Sequence, residues 1–263
     1  MSAPLLEVVD HLFKTMDELV PTALYERAHV RPIPGRIPGT AFFPGGSGLD
    51  LRDPAVEEFP FGGAMILGHN FDSEAGFQAS FARGREDVNK GTWGALLELL
   101  KHAKIPVEAC FFTNAFMGLC VGDDNKKYLG RDNPDFRAAC LRFLKAQIAT
   151  QRPRFILTLG LHVPPLLAAA SPDLEAWAGK NKRLGCDRRL YLRDLDAAPF
   201  FSGARFELGG GSTHRAAVAA IAHPSYQLNG RRRAPSGFSG GLEGEHEMIL
   251  RGWGMCRGRW LAG

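Results

Sequence analysis

The chain has 263 residues, 45% of them hydrophobic and 23% charged, with a formal net charge of +4. This composition sets aside disordered and fibrous classes, and no apolar run approaches the ~18 residues that a membrane helix needs. Five cysteines without a Cys-x-x-Cys pair, and an N-terminus with Glu7, Asp10, His11 and Lys14 among its leucines, predict a reduced, cytoplasmic protein without a signal peptide.

Residues 5–20 place Leu5, Val8, Val9, Leu12, Phe13, Met16 and Leu19 at helical spacing and end at Pro21, which predicts an amphipathic helix. Residues 31–62 are rich in proline and glycine and read as irregular connecting chain. The expected organisation is an N-terminal helix and connecting segment, residues 1–62, packed on a domain spanning residues 63–263. The domain opens on the continuous apolar run 64–67, a strand buried on both faces that ends at Gly68. A helix follows over residues 93–103, then a second strand over 109–113. Asn133 is the candidate N-cap and Pro134 the first residue of a long helix carrying Phe136, Ala139, Cys140, Phe143, Leu144 and Ile148. A third strand spans 155–159 and ends at Gly160, and a short helix follows it. The fourth spans 216–222 and runs into His223-Pro224-Ser225, and a closing helix covers 242–253. Apolar strands alternating with helices predict an α/β protein, a three-layer α/β/α sandwich with a central four-stranded, mainly parallel sheet. Ligands of such sheets bind beyond the carboxyl ends of the strands, here residues 68–73, 114–118, 160–162 and 223–233.

Generic motifs are poor. Gly237-Phe238-Ser239-Gly240-Gly241 matches G-x-S-x-G, but polar, arginine-rich chain precedes it where a nucleophile elbow needs a buried strand. There is no GxxxxGK[ST] phosphate loop, Gly209-Gly210-Gly211 is not followed by a helical lysine, and the histidines and cysteines lack zinc spacing. The strand ends taken together are more specific. Leu67-Gly68-His69-Asn70-Phe71-Asp72, Phe112-Thr113-Asn114-Ala115, Ile156-Leu157-Thr158-Leu159-Gly160 and Ala222-His223-Pro224-Ser225 occur in that order. The set resembles the uracil-DNA glycosylase superfamily, and residues 133–160 look most like its iron–sulfur branch. The resemblance covers residues 63–230. It implies a glycosylase-type fold in which the first motif carries the water-handling residue, Asn114 reads the base edge and the His-Pro-Ser motif supplies a histidine. It departs at the cysteines: Cys140 matches one cluster ligand, but the N-terminal pair is missing and Cys120 is displaced, so no cluster, metal or other cofactor is expected. His69 falls where the iron–sulfur branch has glutamate. Asp72 stands about where the uracil-specific branch has the tyrosine that excludes C5 substituents, which leaves room for a larger base.

The implied chemistry is hydrolysis of an N-glycosidic bond in DNA by a monofunctional glycosylase, leaving an abasic site in repair or in antiviral defence. His223 would donate a hydrogen bond to the base oxygen on which charge develops. Asn114 would pair with the base edge. Asn70 would orient the water, with Asp72 as the alternative base and His69 as a further catalytic candidate. Phe81 and Phe71 are candidates for stacking on the flipped base. Ser225, Tyr226, Gln227 and Leu228 would enter the DNA, with Arg231, Arg232 and Arg233 holding phosphates. Lys180, Lys182, Arg183, Arg188 and Arg189 form a second basic stretch. The expected partner is duplex or single-stranded DNA, bound by a monomer associated with the nucleoid and not with a membrane. Three alternatives stay open: a glycosylase for the bulky hypermodified cytosines of viral DNA, a non-catalytic DNA-binding module of the same fold, and a hydrolase of free nucleosides.

Overall fold

The computed structural model describes residues 5–35, 58–84, 87–89, 91–123, 128–178, 190–225 and 227–256. Helices α1 (Leu5–Leu19) and α2 (Thr22–Arg27) lead to a short strand β1 (Val30–Arg31). Then come β2 (Ala64–Asn70), α3 (Glu74–Arg83), α4 (Gly91–His102), β3 (Cys110–Phe116), β4 (Leu119–Cys120), α5 (Pro134–Gln151) and β5 (Phe155–Leu159). The chain continues through α6 (Pro164–Ala168), α7 (Leu192–Ala197), β6 (Phe200–Gly209), β7 (Ser212–Ile221), α8 (Gln227–Arg231) and α9 (Gly241–Gly254). The main sheet runs β3-β2-β5-β7-β6, with β6 antiparallel to β7 and the other four strands parallel. β1 and β4 form a separate antiparallel pair.

The fold class is mixed α/β, as expected, but the sheet has five strands, not four. The extra strand, β6, is an edge strand without a continuous apolar run; Ala204-Arg205-Phe206-Glu207-Leu208 does alternate, with Ala204 and Phe206 buried and Arg205 and Glu207 exposed, but the stretch is short and lies between two register shifts. Its turn is legible afterwards. Gly209 pairs with Ser212, which leaves Gly210 and Gly211 as a two-residue loop with φ of +56° and +76°. Two central residues at positive φ are the pattern of a type I′ hairpin, which glycine satisfies without strain.

Helices cover both faces of the sheet. On one face Met65, Leu67, Phe111 and Ile156 pack with α1, α2 and α5. On the other, Ala64, Ile66, Phe112 and Leu157 pack with α4 and α9. Helix α5 starts where the sequence places it: Asn133 Oδ1 accepts from Phe136 N–H at 2.9 Å, with Pro134 in the first turn. The same amide donates to Arg27 O at 3.1 Å, and the Tyr25 ring meets Phe136 edge to face at 5.4 Å, so the N-terminal helices dock on α5. Among the described residues no helix is long and apolar enough to cross a membrane.

Candidate active site at the strand ends

The parallel register brings the polar strand-end residues of β2, β3, β5 and β7 to one edge of the sheet. Gly68 lies beside Asn114. A Cβ at Gly68 would overlap Asn114 Oδ1, so the missing side chain makes the slot that the amide occupies. Gly160 plays the matching part under His223. Its φ of +82° turns the chain sharply after β5, its N–H donates to Ile221 O at 2.9 Å, and a Cβ there would lie 3.2 Å from His223 Cβ. Gly160→Ala should therefore cost about 1–2 kcal/mol from left-handed strain alone, read as a lower urea midpoint.

His223 is half-buried, and Ser225 N–H donates to its Nδ1 at 3.3 Å. That bond occupies the Nδ1 lone pair, so the neutral ring carries its proton on Nε2 and presents a fixed donor. Burial holds the ring below the ordinary histidine pKa of 6.5. Ser225 Oγ and Thr92 Oγ1 share a hydrogen bond of 2.6 Å, which ties this loop to the start of α4. A cavity of about 390 Å³ between α4 and α9 reaches His223 and Pro224 from the flank, with Leu99, His102 and His246 on its walls.

His69 sits on the opposite face of β2, edge-on to the Phe116 and Tyr128 rings and 4.8 Å from the His162 ring. Arg131 donates to the His162 ring at 3.1 Å. Burial, then the neighbouring His162, Arg131 and His223, hold the His69 pKa well below the usual value, while a bond with the Asn70 amide works the other way.

The two other candidates in the first motif are directed elsewhere. Asn70 Nδ2 donates to Phe71 O and lies 3.7 Å from Cys120 Sγ. Asp72 Oδ1 accepts from Ser73 N–H at 2.7 Å, and its other oxygen packs over Gly76 in the first turn of α3. The N-cap of α3 is Ser73, whose Oγ accepts from Gly76 N–H at 3.1 Å.

Two expectations for base and DNA contacts change, those for Phe71 and Arg233. Phe71 is buried in the core at 2% exposure, so it offers no face to a base. Phe81 is 51% exposed on α3, stacked on Phe77 at 6.3 Å. Arg233 is 3% exposed and cannot reach a phosphate. Its Nε donates to Asp196 Oδ1 at 2.7 Å and its Nη1 to Glu245 Oε1 at 3.0 Å, while Glu245 Oε1 also accepts from Ala222 N–H at 2.6 Å. Burial raises the Glu245 pKa, against the pull of Ala222 N–H and Arg233. This buried cluster anchors the chain one residue before His223. Arg231 and Arg232 are exposed, as phosphate contacts require. Tyr226, Lys180, Lys182, Arg183, Arg188 and Arg189 lie outside the described residues. Gln227 and Leu228 belong to α8, with side chains outside those described.

The sequence reading did not single out Arg131, Thr92, Asp196 or Glu245. His162 could be found from the strand-end rule, which marks residues 160–162; the others carry no local signal.

An iron–sulfur cluster does not fit the thiols present. Cys140 accepts from Met117 N–H at 3.5 Å, and burial pushes its pKa up to about 12, the reverse of what a thiolate ligand needs. The Tyr25–Phe136 pair packs in the same core. Among the described residues no group of three or more histidine, cysteine or acidic side chains is gathered to hold a metal ion.

Burial also lowers the pKa of His214 and His246. A histidine whose folded pKa is depressed stabilises the protein above about pH 6.5, and that contribution is lost as pH falls towards the folded value. Glu245, with its raised pKa, works in the opposite direction over the carboxylate range. Four imidazoles against one carboxylate predict a lower urea midpoint at pH 5.5 than at pH 7.5; an unchanged midpoint would contradict the burial of these rings.

No protein-family model matches the chain, and no curated protein matches it.

Proposed function

We propose that this chain is a monofunctional DNA glycosylase of the uracil-DNA glycosylase type, which hydrolyses the N-glycosidic bond of a flipped-out base and leaves an abasic site. The observation that carries the reading is His223: a neutral ring at the end of β7, with Nδ1 accepting from Ser225 N–H and the proton therefore on Nε2. A departing base takes the electron pair of the broken C1′–N bond, and charge gathers on its ring oxygens. A preorganised donor aimed at such an oxygen is stronger in the transition state than in the ground state. The Asn114 amide, in the slot left by Gly68, supplies a donor and an acceptor for the base edge. No lysine stands in the four motifs, so a Schiff base and strand cleavage are not expected.

DNA would approach past α8, where Arg231 and Arg232 are exposed. Arg231→Ala and Arg232→Ala should each lower the slope of log affinity against log salt by about 1, uniformly across DNA sequences. Wild type and each variant titrated at several salt concentrations give the readout.

The rival reading is a non-catalytic module that holds a flipped or abasic nucleotide. It draws on the engagement of Asn70 and Asp72 away from the strand-end cluster. Oligonucleotides carrying uracil, hypoxanthine, 5-hydroxymethylcytosine or its glucosylated form, single-stranded and duplex, separate the two. Alkali-labile sites formed by wild type and not by His223→Ala support the glycosylase. Tight, salt-sensitive binding without base release from any of them supports the module.

A further inference from the structure

The sheet order places the ends of β2 and β5 between Asn114, on β3, and His223, after β7. A nucleotide that meets both of those side chains lies across these two strand ends. There the rings form a column that rises from the core to solvent. At its base are the buried Phe116 and Tyr128. His69, on β2, stands edge-on to both at 5.3 Å. The His162 ring, in the turn after β5, lies 4.8 Å from His69 at a tilt of 42°. At the top, Arg131 Nη1 is 3.2 Å from Nδ1 and 3.1 Å from Nε2 of His162.

Arg131 belongs to a single 3-10 turn, Gly130–Asp132, directly before α5. A Cβ at Gly130 would overlap the Tyr128 and Phe136 rings, so the turn sits flush on the core and the arginine leaves it from a fixed point. The guanidinium is 37% exposed along its side chain, and His162 is exposed. The neighbouring carboxylate, Asp132, approaches Arg131 Nε only to 3.7 Å and is itself 70% exposed, a contact too long for a hydrogen bond and weak in water. Among the described residues no carboxylate is hydrogen-bonded to this guanidinium, and it carries more N–H donors than its two neighbours take up.

We propose that Arg131, propped by His162, is a phosphate-binding site for the DNA backbone beside the nucleotide held between Asn114 and His223. The site rests on the glycosylase reading for the identity of its ligand. A planar, permanently charged fork held above the strand ends suits a phosphodiester, whose two unesterified oxygens accept side by side. It lies on a different part of the surface from Arg231 and Arg232 on α8: those arginines follow His223, whereas Arg131 precedes α5. Phosphates on two sides of the flipped nucleotide would then be held, which fixes its position before any bond breaks. His162 is a positioning residue here. It orients the guanidinium and leaves the charge of the pair to Arg131.

Single neutral methylphosphonates placed in turn along a duplex with a central tetrahydrofuran abasic analogue test the site. For the wild type, one position within about two phosphates of the analogue should cost about 10-fold in affinity through Arg131. In Arg131→Ala the same substitution should cost less than about 2-fold, while the penalties at all other positions stay as in the wild type. The variant should bind the unmodified duplex about 10-fold more weakly, with the slope of log affinity against log salt reduced by about 1. Arg131→Lys, which keeps the charge without the fork, should restore the slope and only part of the affinity. His162→Ala should blunt the methylphosphonate penalty at that one phosphate and leave the slope unchanged. An unchanged urea midpoint shows that Arg131→Ala is folded. Phosphonate penalties in Arg131→Ala that match the wild type at every position overturn the site alone. A wild type that shows the Arg131-dependent penalty and releases no base leaves the site standing and overturns the glycosylase reading. A wild type that binds no DNA overturns both.

Discussion

Arg233→Ala should destabilise the protein by about 3–5 kcal/mol, the range for removing one partner of a buried charge cluster. Native domains have only ~5–15 kcal/mol in total, so the variant would approach the unfolding threshold. The size of the effect follows from what is left behind. Glu245, 4% exposed, and Asp196, with its side chain 14% exposed, would both lose their cation. Ala220 O would lose the Nη1 donor as well. Replacing the pair together, Arg233→Met with Glu245→Leu, should recover only part of the loss, since it removes the stranded Glu245 charge but leaves Asp196 without its cation and Ala222 N–H without its acceptor. Urea unfolding of the two variants makes the comparison. A loss below about 1 kcal/mol for Arg233→Ala would place the guanidinium in solvent.

His223→Ala should lower base release by about 100- to 1,000-fold, equivalent to ~3–4 kcal/mol of transition-state stabilisation from a single donor. The loss should fall on the chemical step and leave DNA affinity in place, because the donor acts on charge that exists only as the base departs. Stability should change little. The ring is half-buried, and its hydrogen bond with the nearby Ser225 N–H is local, whereas the strand end itself is held through Ala222 N–H and Glu245. The rate should also be flat between pH 6.5 and 8, since the depressed pKa keeps the ring neutral throughout that range. Single-turnover release of wild type and variant, measured across that range, checks both points.

The parts of the fold that sequence made legible are those with local signals. β2, β3 and β5 are short apolar runs buried on both faces, and α5 carries its own start signal in Asn133-Pro134. β6 escapes that reading because it has no such run; its signal is the alternation Ala204-Arg205-Phe206-Glu207-Leu208 of a half-buried edge strand, a pattern unlike that of the buried parallel strands. The strand-end rule led to His223, Asn114 and His69, which are polar residues at predictable places. It failed where the meaning of a residue depends on distant partners. Within Arg231-Arg232-Arg233 all three arginines look alike, yet only the third turns inward, because Asp196 on α7 and Glu245 on α9 meet it there. Phe71 reads as part of a polar motif, but the chain turns into the core directly after β2. Asp72 reads as a possible base, but Ser73 N–H and the first turn of α3 claim its carboxylate.

The central claim is that the strand-end histidines serve a bond-breaking reaction on DNA. The measurement that reaches it most directly is mass analysis of free base and of the DNA strand after incubation with the wild-type protein and with His223→Ala. The account predicts that the wild type releases base in molar excess over protein and leaves a strand lighter by that base, and that His223→Ala binds the same DNA while releasing almost none. Strands that stay bound and unchanged in mass with the wild type, or equal release by the variant, would contradict it.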